Sequence, residues 1–242
     1  MDFKLLLFAQ ILMLLLVAGL LGAVHYALSH ALHRMKMDDE QNRMMLRLVM
    51  TAILLWLLIL SLMAYLGYLD QGVHSYLVLI VVFLASLLGI LLLLRVPFIR
   101  IGLAFLPPQW LYRIHAYRII HDFLLWVGFA GGFIPAQLTF EWLNFDLFVG
   151  FSALLAAQAF FRRRPYRKVE LALWNTFGLV SILNLFLIAL ISTPGQWQLF
   201  KTTPDNSFML QSPFIWIPGF TIPFAIAMHL LAFRQMRSFN EK

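Results

Sequence analysis

The apolar segment at residues 111–133 carries the polar side chains of this sequence that are best suited to binding or reaction. It is long enough to cross a bilayer, yet it contains Arg118, Asp122 and two histidines. An ionisable residue at membrane depth costs about 2.5–3.5 kcal/mol or more, so such residues face other helices or a cavity and are the default functional candidates. Arg118 and Asp122 are four residues apart, the spacing at which side chains on one face of a helix meet. We therefore predict that Arg118 and Asp122 pair inside the protein.

Polar residues in later apolar segments are predicted to reach the same level of the membrane. With a rise of about 1.5 Å per helical residue, Asp122, Asn175 and His229 all fall in one half of the bilayer. The first hypothesis is a ligand cavity that opens to the cytoplasm. An arginine in this cavity would favour an anionic ligand. The alternative is that these groups bond in pairs across dry helix interfaces and only fix the packing. The predicted ligand-binding residues are Arg118, Asp122, Asn175, Asn184 and His229.

A second polar group lies in the connection that precedes the fifth apolar segment. It consists of Gln137, Glu141, Asn144 and Asp146, and we predict that it lies on the outer side of the membrane. Asn144 or Asp146 is placed to cap the helix that follows, because either side chain can accept the first free amide hydrogens. The alternative is that Glu141 and Asp146 bind a cation or a substrate from outside.

Several kinds of chemistry are excluded or disfavoured by what the sequence lacks. The chain has no cysteine, which excludes disulfides, iron–sulfur clusters, cysteine zinc sites and thiol nucleophiles. It has no HExxH motif, no glycine-rich phosphate loop and no paired nucleophile and base. The segment at 214–233 has no lysine to form a retinal Schiff base, which excludes a retinal protein. We predict no catalytic residue, no metal and no cofactor.

The elements that must position these residues are membrane-spanning helices. The chain has 242 residues, of which 62% are apolar and 12% charged, against about 25% charged residues in a soluble domain. A mean hydropathy of +0.84 agrees with that composition. The continuous leucine-rich runs predict an all-α polytopic membrane protein, with seven transmembrane helices in one domain at 1–242, rather than a β-barrel. The predicted spans are 5–28, 46–69, 76–94, 111–133, 145–161, 169–191 and 214–233.

The distribution of basic residues predicts how these spans are oriented. Of the 18 lysines and arginines, 16 fall after the first, third, fifth and seventh spans or at the start of the fourth. The positive-inside rule then places the N-terminus outside and the C-terminus in the cytoplasm. The net charge of +7 is explained by these loops and by anionic lipid headgroups. We therefore predict the lipid bilayer, and not nucleic acid, as the partner of the basic surface.

Three stretches of the C-terminal half carry a family resemblance. They are QLTFEWLNFDLFVGFSALL, LALWNTFGLVSILNLFLIALISTPGQWQLF and PFIWIPGFTIPFAIAMHLLAFRQ. Together they resemble a widespread, uncharacterised family of bacterial seven-helix integral membrane proteins, over residues 107–237. Arg118 and Asp122 match the family's arginine with an acid four residues on. The other matching residues are Gln137, Thr139, Asn144, Asp146, Gly150, Trp174, Asn175, Pro194, Trp216, Pro218, Pro223, His229, Arg234 and Gln235.

The resemblance implies a multi-pass protein of the bacterial inner membrane and supplies no activity. Three functions stay open from the sequence. The first is binding or transport of a small, anionic molecule or an ion through a polar cavity inside the membrane. The second is a structural or accessory subunit, which would assemble with a second copy or with another membrane protein. The third, a membrane-embedded enzyme, is the least favoured because no catalytic constellation is present.

Overall fold

All the regular structure is helical in the computed structural model, which describes residues 2–35, 38–162 and 167–237. The prediction of an all-α protein is confirmed over these ranges. Short 3₁₀ turns join several of the helices, and the last helix begins with a π-helical segment at Ile217–Thr221. The α-helices are α1 (Phe3–Arg34), α2 (Asp39–Tyr65), α3 (Ser75–Leu93), α4 (Pro97–Gly102), α5 (Pro108–Arg113), α6 (Tyr117–Ala130), α7 (Asp146–Ala159), α8 (Lys168–Ser192) and α9 (Ile222–Arg237).

Five helical segments among the described residues are long and apolar enough to cross a membrane, whereas the sequence predicted seven. They correspond to the first, second, third, sixth and seventh predicted spans. The predicted span at 145–161 is the 14-residue helix α7, which extends for only about 21 Å. The predicted span at 111–133 is divided, because a 3₁₀ turn at Ile114–Ala116 separates α5 from α6. The five segments are Phe3–Arg34, Asp39–Tyr65, Gly72–Leu93, Lys168–Ser192 and Ile217–Met236.

Local sequence explains where the short helices begin. Pro97 and Pro108 each lie in the first turn of their helix, where the missing amide hydrogen would have had no partner anyway. At the other end of the fold, α1 begins after Asp2, whose side chain accepts hydrogen bonds from the amides of Lys4 and Leu5. The amide of Asp2 donates to the carbonyl of Gly131, which fastens the start of α1 to the end of α6.

The last helix is irregular where it crosses the centre of the bundle. Pro218 and Pro223 remove two amide donors, and the π-helical segment lies between α3, α2 and the start of α9. Side chains from other helices bind the carbonyl groups that this irregularity frees. Trp56 donates to the carbonyl of Gly219 over 3.1 Å, and the hydroxyl of Tyr117 donates to the carbonyl of Thr221 over 2.7 Å. The kink that the two prolines predict is therefore held by α2 and α6.

One helix carries most of the buried charge. On α6, Arg118, His121 and Asp122 are buried, whereas Ile120 and Phe123 are exposed on the opposite face. Because Arg118 is completely buried, it does not belong with the loop cations that predicted the orientation. Four other basic residues of that prediction, Lys36, Arg163, Arg164 and Lys242, lie outside the described residues.

Candidate functional site

Arg118 joins four helices in the interior. Its Nη1 atom donates to Asp146 Oδ1 of α7 over 3.3 Å and to the carbonyl of Gly178 of α8 over 3.1 Å. Its Nη2 atom lies 3.1 Å from His229 Nε2 of α9. Since arginine can only donate, His229 Nε2 accepts and its Nδ1 atom carries the proton. The guanidinium of α6 is thus bound to α7, α8 and α9 at once.

The predicted pair between Arg118 and Asp122 is wrong. Arg118 forms its ion pair with Asp146, a residue that was predicted to lie in the polar group on the outer side of the membrane. Asp122 Oδ1 instead accepts a hydrogen bond from Asn144 Nδ2, which also donates to the carbonyl of Leu138 over 3.0 Å. Helix periodicity shows that two side chains share a face, but a closer partner on the next helix takes precedence.

Asn144 and Asp146 connect the start of α7 to this interior. Asn144 Oδ1 accepts from the amide of Asp146, the first residue of α7, over 2.9 Å. Asn144 thus satisfies one free amide at the start of the helix, whereas the cap residue itself is Phe145, whose side chain makes no capping bond. Asp146 Oδ1 also accepts from the hydroxyl of Ser181 on α8 over 2.6 Å. Both residues are buried, so neither is available to a cation approaching from outside.

A reciprocal pair of bonds orients His229. Its Nδ1 donates to Asn175 Oδ1 over 2.6 Å, and Asn175 Nδ2 donates to the carbonyl of His229 over 2.9 Å. The ring passes close to Gly178, where the Cβ of any other residue would overlap it. Asn175, Gly178 and His229 thus allow α8 and α9 to approach each other closely. The polar cluster, as we name it, consists of Arg118, Asp122, Asn144, Asp146, Asn175, Ser181 and His229.

Aromatic rings close one side of the polar cluster. The ring of His115 stacks on that of His229 with centroids 3.9 Å apart and an interplanar angle of 17°. Trp174 lies against both rings, at 5.7 Å from His115 and 5.8 Å from His229, and its indole donates to Ser152 over 2.9 Å. His115 and Trp174 were not among the predicted site residues, because a lone histidine or tryptophan in an apolar helix is most often a packing residue.

Charge and hydrogen bonding in the polar cluster are almost but not fully balanced. One buried arginine faces two buried aspartates. Several buried polar atoms have no hydrogen-bond partner within the described chain: Arg118 Nε, Asp122 Oδ2, Asp146 Oδ2, His121 Nε2 and both ring nitrogens of His115. Among all the residues that the structure describes, no group of three or more histidine and acidic side chains has an arrangement that could hold a metal ion. The arrangement is suited to bracing four helices against one another.

Three predicted site residues lie apart from the polar cluster. Asn184 is only half-buried and donates to the carbonyl of Leu143 over 2.8 Å. Glu141 is exposed and accepts from the indole of Trp126 over 2.7 Å. Gln137 is buried within the 3₁₀ turn at Ala136–Leu138, which follows α6. The structure therefore brings together six of the nine candidates and separates these three.

A large cavity, the apolar cavity, lies on the other side of the bundle. It has a volume of about 820 Å³ and lies between α1, α2, α3 and the last helix, with α4 and α5 at one end. Its walls are almost entirely apolar, and Arg113 is the charged residue that reaches it. None of the residues predicted to line a ligand cavity lines this apolar cavity. Four of them belong to the polar cluster, and Asn184 donates to the carbonyl of Leu143.

A second space, the polar cleft, adjoins the apolar cavity at α5. It has a volume of about 740 Å³ and lies between α5 and the end of α7. Trp110 and Arg113 line both spaces. The other polar side chains of the cleft are Gln109, Gln158 and Arg162.

Comparison with known proteins gives a family and no activity. A family model described as "Domain of unknown function (DUF8737)" matches residues 75–237, and the chain belongs to that family. The match covers α3 to α9 and therefore the whole polar cluster, whereas α1 and α2 lie outside it. No curated protein and no solved structure matches the chain.

Proposed function

We propose that this family member is a multi-pass membrane protein that binds the apolar chain of a lipid-like molecule in the apolar cavity. The observation that carries the proposal is the cavity itself. Its volume of about 820 Å³ lies within the range of about 300–1,000 Å³ that is typical of ligand sites, which are mostly apolar with a few polar groups. Binding is thus the part of the binding-or-transport hypothesis that the geometry supports best.

Small side chains open this space and favour a ligand site over a packing defect. Where large residues would meet in a close-packed interior, several positions of α1, α2 and α3 carry alanine or glycine. An atom at the Cβ position of Gly89 would meet nothing within 4 Å. An apolar ligand would restore the dispersion contacts that these walls lack. The small lining residues are Ala23, Ala27, Ala31, Ala52, Ala85 and Gly89.

The polar cluster contributes indirectly in this proposal. It fixes α9 against α6 and α8, and the segment that leads into α9 forms one wall of the apolar cavity through Gly219 and Phe220. A structural or accessory role is the second candidate, because most polar groups of the cluster already have protein partners. That role would require no occupant in the apolar cavity.

A diazirine-bearing long-chain alcohol tests the binding proposal. We expect irradiation to label residues of α1, α3 and the last helix that line the apolar cavity, and excess unlabelled alcohol to compete. Gly89→Phe should abolish this saturable labelling because the new ring fills the space. Gly19→Phe is the matched control: Gly19 is also an exposed helical glycine with no atom within 4 Å of its Cβ position, and it does not line the cavity. Labelling that is not saturable, or that both variants reduce equally, would favour the accessory role.

We further propose seven membrane crossings in a bacterial inner membrane, with the N-terminus outside. The 3₁₀ turn divides α5 from α6 but is itself helical, so the residues from Pro108 to Ala130 are all helical and numerous enough to cross. The cysteine-free chain allows single-cysteine labelling with an impermeant maleimide. Trp142→Cys should react from outside, and Arg95→Cys and Arg162→Cys only after the membrane is opened. Reaction of Trp142→Cys from the same side as the other two would mean five crossings and a re-entrant α5–α7 region.

A further inference from the structure

Two spaces of different polarity meet at α5. The apolar cavity offers an interior of aliphatic and aromatic side chains, and the adjoining polar cleft offers two arginines and two glutamines. Trp110 and Arg113 form the border, since both residues line both spaces. A molecule that occupied the two spaces together would need an apolar tail and a polar headgroup.

The border has the composition of a membrane interface. The ring of Trp110 stacks on Tyr26 of α1 with centroids 5.0 Å apart, and His30 lies 5.7 Å from Trp110. Tryptophan and tyrosine favour the level of the lipid headgroups because one part of each ring is apolar and another part is polar. The aromatic group thus marks the level at which a bound amphiphile would change from tail to headgroup.

The charge of the polar cleft determines the kind of headgroup. Arg113 and Arg162 line it, and both residues are exposed. Guanidinium groups bind phosphate through paired, charge-assisted hydrogen bonds. None of the described residues that line the cleft is acidic, so a choline or ethanolamine group would have no carboxylate there. The chemistry favours an anionic headgroup over a zwitterionic one.

We propose that the occupant is an anionic phospholipid, with an acyl chain in the apolar cavity and its phosphate between Arg113 and Arg162. This proposal rests on the proposed function and adds the class of ligand. Gln109 and Gln158 supply amide donors for the remaining headgroup oxygens. The phosphate lies at the level of Trp110, and the acyl chain extends along Ala27 and Gly89 toward Trp56.

The test uses diazirine-bearing phosphatidylglycerol and phosphatidylcholine with identical acyl chains, in nanodiscs of unlabelled phosphatidylcholine. We expect phosphatidylglycerol to label the apolar cavity about tenfold more strongly, a difference of about 1.4 kcal/mol. Replacing both arginines (Arg113→Gln with Arg162→Gln) should reduce its labelling to the level of phosphatidylcholine. Arg113→Lys should retain part of the preference, because the charge remains but the paired geometry is lost.

Arg100→Gln is the matched control, since Arg100 is exposed on the neighbouring helix α4 and lines neither space. It removes one positive charge from the same end of the bundle and should leave the preference unchanged. An equal loss in this control would overturn the proposal, because the preference would then reflect general surface charge.

The remaining outcomes separate this proposal from the proposed function. Equal, saturable labelling by both lipids would overturn the anionic headgroup and leave binding in the cavity intact. Labelling by a diazirine fatty acid that matches phosphatidylglycerol would overturn the phospholipid and assign a carboxylate amphiphile. No saturable labelling by any of the three probes would overturn both proposals.

Discussion

The polar cluster and the apolar cavity are two interiors of one bundle that solve packing in opposite ways. Around the polar cluster the helices are enclosed. Of the most apolar 18-residue window in each helix, 72% is buried in the last helix and 50% in α8. Around the apolar cavity they are peripheral: the corresponding windows are 28% buried in α1 and in α3, and 17% in α2. The first interior is closed by hydrogen bonds and the second is left open by small side chains.

The difference follows from what each kind of group costs when it is left without a partner. A buried carboxylate or guanidinium without a partner costs several kcal/mol, so a region that contains them must bring its helices together. An apolar wall that faces a void loses only dispersion contacts, which a ligand can replace. Leaving a space open for a ligand therefore costs less free energy in the apolar half of this bundle than in the polar half.

The largest effect that would test this comparison is the removal of Arg118. Arg118→Met should destabilise the protein by about 3–5 kcal/mol, because Asp146 is left buried without its cation. Unfolding in detergent with increasing denaturant measures the loss.

Arg118→Met combined with Asp146→Leu should recover much of that stability, since no isolated charge remains. If the single and double variants unfolded at the same denaturant concentration, the ion pair would not be what closes this interior.

A smaller effect distinguishes the two aspartates. Asp146→Asn weakens the bond to Arg118 and should cost about 1.5–3 kcal/mol, the range for hydrogen bonds to charged groups. Asp122→Asn changes a carboxylate whose partner is the amide of Asn144, and should cost about 0.5–1.5 kcal/mol. Each substitution keeps the shape of the side chain, so each controls for the other in the same unfolding measurement. The reverse order would place the essential ion pair at Asp122, as the sequence predicted.

The sequence predicts the helices and the buried polar residues better than it predicts their partners. Hydropathy located every long helix to within several residues, and the cost of burying charge selected Arg118, Asp122, Asn175 and His229. The sequence alone could not identify Asp146 as the partner of Arg118, because contacts between helices depend on how α6, α7 and α8 pack. The 3₁₀ turn at Ile114–Ala116 leaves no trace in hydropathy.

The apolar cavity is the feature that the sequence analysis missed. Alanines and glycines such as Ala27 and Gly89 are as compatible with tight helix packing as with a void. Only the relative positions of α1, α2 and α3 decide which of the two they form. Arg113 likewise resembled any other arginine of a basic loop until the structure placed it on the border of two spaces.

The sharpest comparison uses the same glycine-to-alanine substitution in both interiors, because its effect on stability should have opposite signs in the two. Alanine is favoured over glycine in a helix by about 0.8–1.0 kcal/mol. In Gly89→Ala the new methyl group enters open space, so thermal unfolding in detergent should occur at a slightly higher temperature. In Gly178→Ala the methyl group overlaps the ring of His229, whose bonds to Arg118 and Asn175 resist movement, and overpacking should cost about 1–3 kcal/mol. Stabilisation by both substitutions would show that His229 moves freely, and the polar cluster would then be no more rigid than the walls of the cavity.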